Sequence, residues 1–129
     1  MLRSILVALV CGLVIIPSTR AGDDKKMPDA SKCLEMCKKC AAECESCAKC
    51  CLDAKREACA KECGTCHHMC LVCLELCKAK SPLAWDACVL CEKVCKECQA
   101  SCEKSDAACC KECAKVCKEC AKACEAARK

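Results

Sequence analysis

The residues in this chain that could do chemistry are its cysteines. There are 25 among 129 residues, beside 2 histidines, 4 methionines, one tryptophan and no phenylalanine or tyrosine. A cysteine binds metal as its thiolate, and soft thiolates select Cu(I), zinc or iron–sulfur clusters. Spacing sets which of these the chain can build. Cys33, Cys37, Cys40, Cys44, Cys47 and Cys51 step by 4, 3, 4, 3, 4, and Cys59, Cys63, Cys66, Cys70, Cys73 and Cys77 repeat those steps. Cys88, Cys91, Cys95, Cys98 and Cys102 step by 3, 4, 3, 4, as do Cys110, Cys113, Cys117, Cys120 and Cys124. Only Cys50 and Cys109 stand outside the ladders after residue 30, and they are counted with the ladder cysteines as candidate metal ligands. No C-x-C pair occurs, so neither strands nor an irregular metallothionein-like chain is indicated.

Steps alternating between three and four are the a/d seam of a bundle helix. Alanine, lysine and glutamate fill the positions between cysteines and favour helix. Glu92 and Lys96 make a favourable i,i+4 pair on an exposed face. Ser81-Pro82 reads as an N-cap with proline at N1, Ser105 or Asp106 can cap the last helix, and Asp53 marks the first turn. Helices are predicted near 29–52, 55–79, 82–103 and 106–127, the last two sharing the repeat VCKEC. Short connections make neighbours antiparallel. The predicted fold is all-α, an antiparallel up-down-up-down four-helix bundle with a cysteine-lined core.

Such a core is unusual. Leu, Val, Ile and Phe number 11 among residues 22–129, about a tenth. Thiols stand where a bundle would place leucine, which predicts an underfilled axis waiting for a soft metal. Residues i and i+4 have Cβ atoms ~5–6 Å apart, and an ion ~2.3 Å from each of two sulfurs bridges that step. Charge then separates the metals. Six zinc ions, each held by four cysteines, would leave 24 thiolates with a net charge of −12, which is costly to bury. Cu(I) at about one per cysteine, with each sulfur shared, brings the core to neutrality. Many equivalent ligands suit storage. A catalytic metal keeps an open position beside acid/base groups, and no such set is evident. The reading is therefore a binding protein and not an enzyme, with no catalytic residues.

Met1-Leu2-Arg3, the apolar run Ser4–Ile16, Pro17 and Thr19-Arg20-Ala21 read as a secretory signal with cleavage after Ala21. Residues 22–28 are then a flexible leader and 29–127 the bundle. Removal of Arg3 and Arg20 leaves 20 basic against 18 acidic residues, a net charge of +2. A nearly neutral chain with no basic block and one aromatic residue offers no nucleic-acid surface. After cleavage nothing spans a membrane. The location expected is periplasmic or otherwise extracytoplasmic, and the single arginine of the n-region argues against a twin-arginine signal.

With its signal segment and repeated C-x-x-x-C-x-x-C ladders over residues 29–127, the sequence resembles the bacterial copper storage proteins. The resemblance implies many Cu(I) ions held by cysteines inside the bundle and a tendency to form tetramers; a copper reservoir would also have copper donor or acceptor proteins as partners. It carries over to the ladder cysteines position by position.

Other features have rival meanings. An exported chain with an even cysteine count is ordinarily a disulfide scaffold, so a disulfide-stapled helical protein is the first alternative. Zinc or general metal buffering is the second. Cys33, Cys37 and Cys40 match the cluster motif of radical enzymes, but a heptad seam generates it automatically. Cys63, Cys66 and His67 match a haem-attachment motif that leaves most cysteines unexplained. Met27 and Met36 near the start of helix 1, and His67, His68 and Met69 in helix 2, are candidates for guiding metal inward. Cys50, Cys51, Cys109 and Cys110 gather at the opposite end from the methionines and are a second candidate mouth. Leu71, Val72, Leu74, Leu76, Leu90 and Val94 lie off the seams and suggest contacts between copies of the chain. Trp85 is expected to plug one bundle end beside Leu83.

Overall fold

A computed structural model describes residues 26, 27 and 29–129 of the chain. The expected signal segment 1–21, Cys11 within it, and the leader apart from residues 26 and 27 lie outside the described residues. Four helices follow: α1 Ser31–Asp53, α2 Glu57–Lys78, α3 Ala84–Glu103 and α4 Ala108–Ala126. Their bounds fall within two residues of those predicted.

The difference at the ends has a local cause. The expected capping side chains act from the turns. Ser81 Oγ accepts the Leu83 N–H at 3.1 Å, so Pro82 stays in the turn and α3 begins at Ala84. Ser105 Oγ accepts the Ala107 N–H at 3.2 Å ahead of α4. Asp29 Oδ1 accepts the Ser31 N–H at 3.0 Å and opens α1.

Two lysines end the first two helices. Lys55 has φ 60° and Lys80 φ 50°, the left-handed region that closes a helix. After α1 the Lys55 N–H reaches the Leu52 carbonyl and the Arg56 N–H reaches the Cys51 carbonyl, at 3.0 and 2.7 Å. After α2 the Lys80 and Ser81 N–H groups reach Cys77 and Leu76 in the same way, at 3.1 and 2.9 Å. Both are Schellman closures. The first fixes Arg56 beside the end of α1.

Sulfur contacts give the directions of the helices. Cys33 meets Cys124 at 3.7 Å and Cys51 meets Cys110 at 3.6 Å, so α1 and α4 run opposite ways. Cys59 meets Cys102 and Cys73 meets Cys88, at 3.6 and 3.5 Å, so α2 and α3 do also. Cys33 also lies 3.6 Å from Cys88, across the axis on a parallel helix. The helices pack in a ring, α1–α2–α3–α4 and back to α1. The arrangement is up-down-up-down.

The axis is not underfilled. Sulfurs meet at 3.5–4.0 Å, ordinary contact distances. The reason lies beside the seams. Ala41, Ala60, Ala84, Ala87, Ala114, Ala121 and Ala123 are buried there, and such small side chains let the helices close until the thiols touch. Of the apolar residues off the seams, Leu74 is buried, while Leu76 and Val94 pack against the core from its edge. Leu71, Val72 and Leu90 are exposed by 39%, 50% and 50%.

Trp85 is half-buried at the start of α3, while Leu83 near it is largely exposed. The Arg128 guanidinium lies over the indole, 5.5 Å from the ring centre. Arg128 Nη2 also donates to Glu92 Oε2 at 2.7 Å, which ties the end of α4 to α3. Lys96 reaches the other Glu92 oxygen at 3.1 Å, as its i,i+4 position predicts. Glu92 is nonetheless mostly buried, not on an open face. The Arg128 bond, more than Lys96, holds the Glu92 carboxyl below its usual pKa. A depressed carboxyl pKa stabilises the fold above the unfolded value and stops doing so as pH falls through the folded value. Glu92→Gln should therefore cost about 1–2 kcal/mol at neutral pH. In denaturant unfolding, the gap between wild type and variant should be complete above pH ~4.3, the ordinary glutamate value, and close as pH falls through the depressed value.

Candidate metal site

Each ladder places about one cysteine per turn on the inner stripe of its helix. All 22 ladder cysteines are buried and are free thiols. Within a helix, i,i+4 pairs stand close: Cys33–Cys37 and Cys40–Cys44 at 3.8 Å, Cys91–Cys95 and Cys113–Cys117 at 3.9 Å. Between helices the spacing is the same, with Cys66–Cys95 and Cys44–Cys117 at 3.7 Å. The sulfurs form foursomes whose members lie within 4.8 Å of one another: Cys33, Cys73, Cys77, Cys88; then Cys37, Cys91, Cys120, Cys124; then Cys40, Cys66, Cys70, Cys95. Adjacent foursomes share sulfurs. Cys33 and Cys73 also belong with Cys37 and Cys124, and Cys40 and Cys66 also belong with Cys44 and Cys117. The site is one continuous lattice, not a row of separate centres.

The lattice divides its thiols electrostatically. Cys88 is brought down to about 5, first by its hydrogen bond with Cys124. Cys98 is lowered to about 6, first by Cys102, and Cys120 to about 7, first by Cys124. Others go the opposite way. Cys70 is pushed up first by Cys120, Cys117 first by Cys113, and Cys59 to about 11, first by burial. Neighbouring S–H groups solvate the first thiolates, and those thiolates then oppose ionisation beside them. Full deprotonation of such a core requires cations.

Size alone admits several metals. At ~2.3 Å from the metal, sulfurs stand ~3.8 Å apart around a tetrahedral ion, ~4.0 Å around a trigonal one and ~4.6 Å across a linear one. Three- or four-sulfur coordination fits the axis as it stands, and linear coordination requires a slight spreading. Sharing favours the monovalent ion. Bridging thiolates at a ratio near one cancel the charge of Cu(I), whereas isolated zinc sites of four cysteines leave two negative charges each.

Two cysteines stand apart. Cys50 and Cys109, counted with the ligands on sequence grounds, are joined as a disulfide between the end of α1 and the start of α4. In that form neither is a thiolate. They were the two cysteines outside the ladders, and that irregularity was the available signal. The side chain of Arg56, which the sequence reading did not single out, reaches both sulfurs, Nη2 lying 3.9 Å from Cys50 Sγ and 3.7 Å from Cys109 Sγ.

The structure does not gather the histidines and methionines at one mouth. Met36 is buried one turn into α1, Met27 packs against the core from its edge, and Met69 is half-buried in the middle of α2. His67 donates from Nδ1 to the Ala41 carbonyl at 2.7 Å and so bridges α1 and α2 on the flank. That bond leaves Nε2 as the ring's acceptor nitrogen. His68 is exposed, its ring 5.1 Å from that of His67. Solvent meets the lattice at its two ends, where Cys59 and Cys77 are each 7% exposed.

A ring of four helices around a continuous thiol lattice defines a class: a metal–thiolate container built on a helical bundle. Comparison with known proteins makes this specific. The model of the copper storage protein family, Csp, matches residues 26–129, and the chain belongs to that family. Two solved structures are similar, both with a TM-score of 0.74 over 78% of this chain and 100% of theirs. One is the Cu(I)-bound copper storage protein BsCsp3, at 28% identity. The other is apo copper storage protein 3 from Bacillus subtilis, at 29%. No protein of curated function matches.

With one disulfide among the described cysteines, a thiol assay in denaturant should gain two thiols per chain when the protein is first reduced. A larger gain would mean that ladder thiols are also paired.

Proposed function

We propose that this protein is an exported reservoir for Cu(I), which holds about one ion per cysteine on the 22 ladder thiolates and performs no catalysis. The observation that carries the reading is the sharing of sulfurs from end to end of the axis. Membership in the copper storage family and the likeness to a Cu(I)-bound relative support copper as the cargo. Copper loads by replacing S–H protons, so uptake releases protons and acid favours release. The bundle wall shields the ions from water and oxygen.

Export rests on the apolar run Ser4–Ile16 followed by Thr19-Arg20-Ala21, with the mature chain starting at Gly22. It places the reservoir in the periplasm or another extracytoplasmic space, where metal arrives after secretion from donor proteins and leaves to acceptors. No helix among the described residues is long and apolar enough to cross a membrane. Exposed Leu71, Val72 and Leu90 support self-association, a tetramer by family resemblance.

A second reading has one observation in its favour. The foursome spacing also suits tetrahedral zinc, which makes zinc buffering the competitor. Of the disulfide-scaffold reading only the Cys50–Cys109 bridge remains among the described residues.

Competition separates copper from zinc. Purified protein preloaded with zinc and offered anaerobic Cu(I) should release all its zinc and stay helical, whereas zinc retained in several foursomes would favour buffering. In the doubly substituted variant Cys40→Ser and Cys70→Ser, both lost sulfurs lie in one central foursome. That variant should hold about two fewer Cu(I) ions against a chromophoric chelator with its helix content unchanged, as read by circular dichroism. Loss of all helicity would show that these cysteines are structural instead.

A further inference from the structure

The end of the bundle formed by the α1–α2 and α3–α4 turns carries an arrangement that storage in the ladders does not use. Cys50 and Cys109 sit on its rim, half-buried, with Cα atoms 6.8 Å apart. Each is the sequence neighbour of a lattice sulfur, Cys51 or Cys110, and those two are 3.6 Å apart. Cys110 touches Cys59 at 3.8 Å, and Cys59 is one of the two most exposed ladder cysteines. The rim pair therefore stands beside one opening of the lattice.

Arg56 is the second observation. The Schellman closure of α1 holds its backbone, and its guanidinium lies over both rim sulfurs at 3.7–3.9 Å. Among the described residues no acceptor lies within hydrogen-bond reach of its buried Nε. A cation set against a neutral disulfide with a buried donor unmet is poorly matched. The same cation would be well matched to two sulfurs that together carried one negative charge.

We propose that Cys50 and Cys109 form a redox-switched Cu(I) site on the rim, closed as the disulfide and opened by reduction, with Arg56 as its counter-ion. This rests on the reading that the lattice behind it stores Cu(I). Reduction needs a thiol reagent, a small dithiol or a dithiol protein. Its two sulfurs are oxidised to a disulfide, and Cys50 and Cys109 gain the two electrons and two protons. One Cu(I) then binds both sulfurs while each thiol gives its proton to solvent. The bis-thiolate carries a net charge of −1, which the Arg56 guanidinium offsets. Linear coordination needs the sulfurs ~4.6 Å apart, a separation that side-chain rotation supplies at this Cα spacing. The ion can pass to Cys51 and Cys110 by exchange of one thiolate for the next. In the oxidised protein that route has no free ligand on the rim.

Alkylation mapped by peptide mass spectrometry tests this on the purified protein. The protein is reduced with a dithiol, freed of reagent, and treated anaerobically with a thiol alkylator either metal-free or loaded with Cu(I) to saturation. Cys50 and Cys109 should be alkylated in the metal-free protein and at least about tenfold more slowly in the loaded one. Arg56→Gln should restore about tenfold of that rate at the pair, with the ladder cysteines as protected as before, and Arg56→Lys should retain most of the protection. A loaded protein with protected ladders and a freely alkylated pair would overturn the rim site and leave storage standing. Unprotected ladders would overturn the storage reading and the rim site together. A pair protected equally with arginine or glutamine at position 56 would overturn the counter-ion role.

Discussion

Everything in this molecule depends on the contact of thiol with thiol along the bundle axis. Twenty-two buried sulfurs at 3.5–4.0 Å are easy to hold as neutral S–H groups and very hard to hold as anions. Some are helped to ionise by neighbouring S–H donors, as at Cys88, Cys98 and Cys120. The rest need a cation each. The core is thus a packed interior of mostly neutral thiols without metal, and one that cations can neutralise when its protons leave. Loading is an exchange of protons for cations.

The remainder of the structure serves that exchange. Alanines beside the seams allow close approach of the helices. Large apolar residues are scarce, so other devices hold the ends. Arg128 ties α4 to Glu92 and Trp85 on α3, and the Cys50–Cys109 bridge ties α1 to α4 at the other end. The His67 bond to the Ala41 carbonyl joins α1 and α2 midway. All of these lie on the flanks or the rim, leaving the axis to sulfur alone.

Much of this was legible in the sequence because one residue type carries both the helical period and the chemistry. The 3–4 alternation located all four helices and the inner stripe of each. It also marked Cys50 and Cys109 as exceptions, though not as partners, because helices 59 residues apart in sequence meet only in the folded bundle. Glu92 and Lys96 were visible as an i,i+4 pair, but the stronger bond to Arg128 comes from another helix. Arg56 gave no signal, since its position depends on a left-handed lysine before it. The underfilled core was the main misreading. Thiol volume suggests a gap if the helices keep a leucine spacing, and the flanking alanines let them come closer.

The central claim is that the lattice exists before metal and fills without refolding. An anaerobic Cu(I) titration of the reduced protein, with a chromophoric Cu(I) chelator competing and circular dichroism read at every point, tests it most directly. The account predicts helicity that is complete at the start and unchanged throughout, with copper withheld from the chelator up to about one ion per cysteine. Helicity that appears only as copper is added, or a chelator that wins after the first few ions, would contradict it.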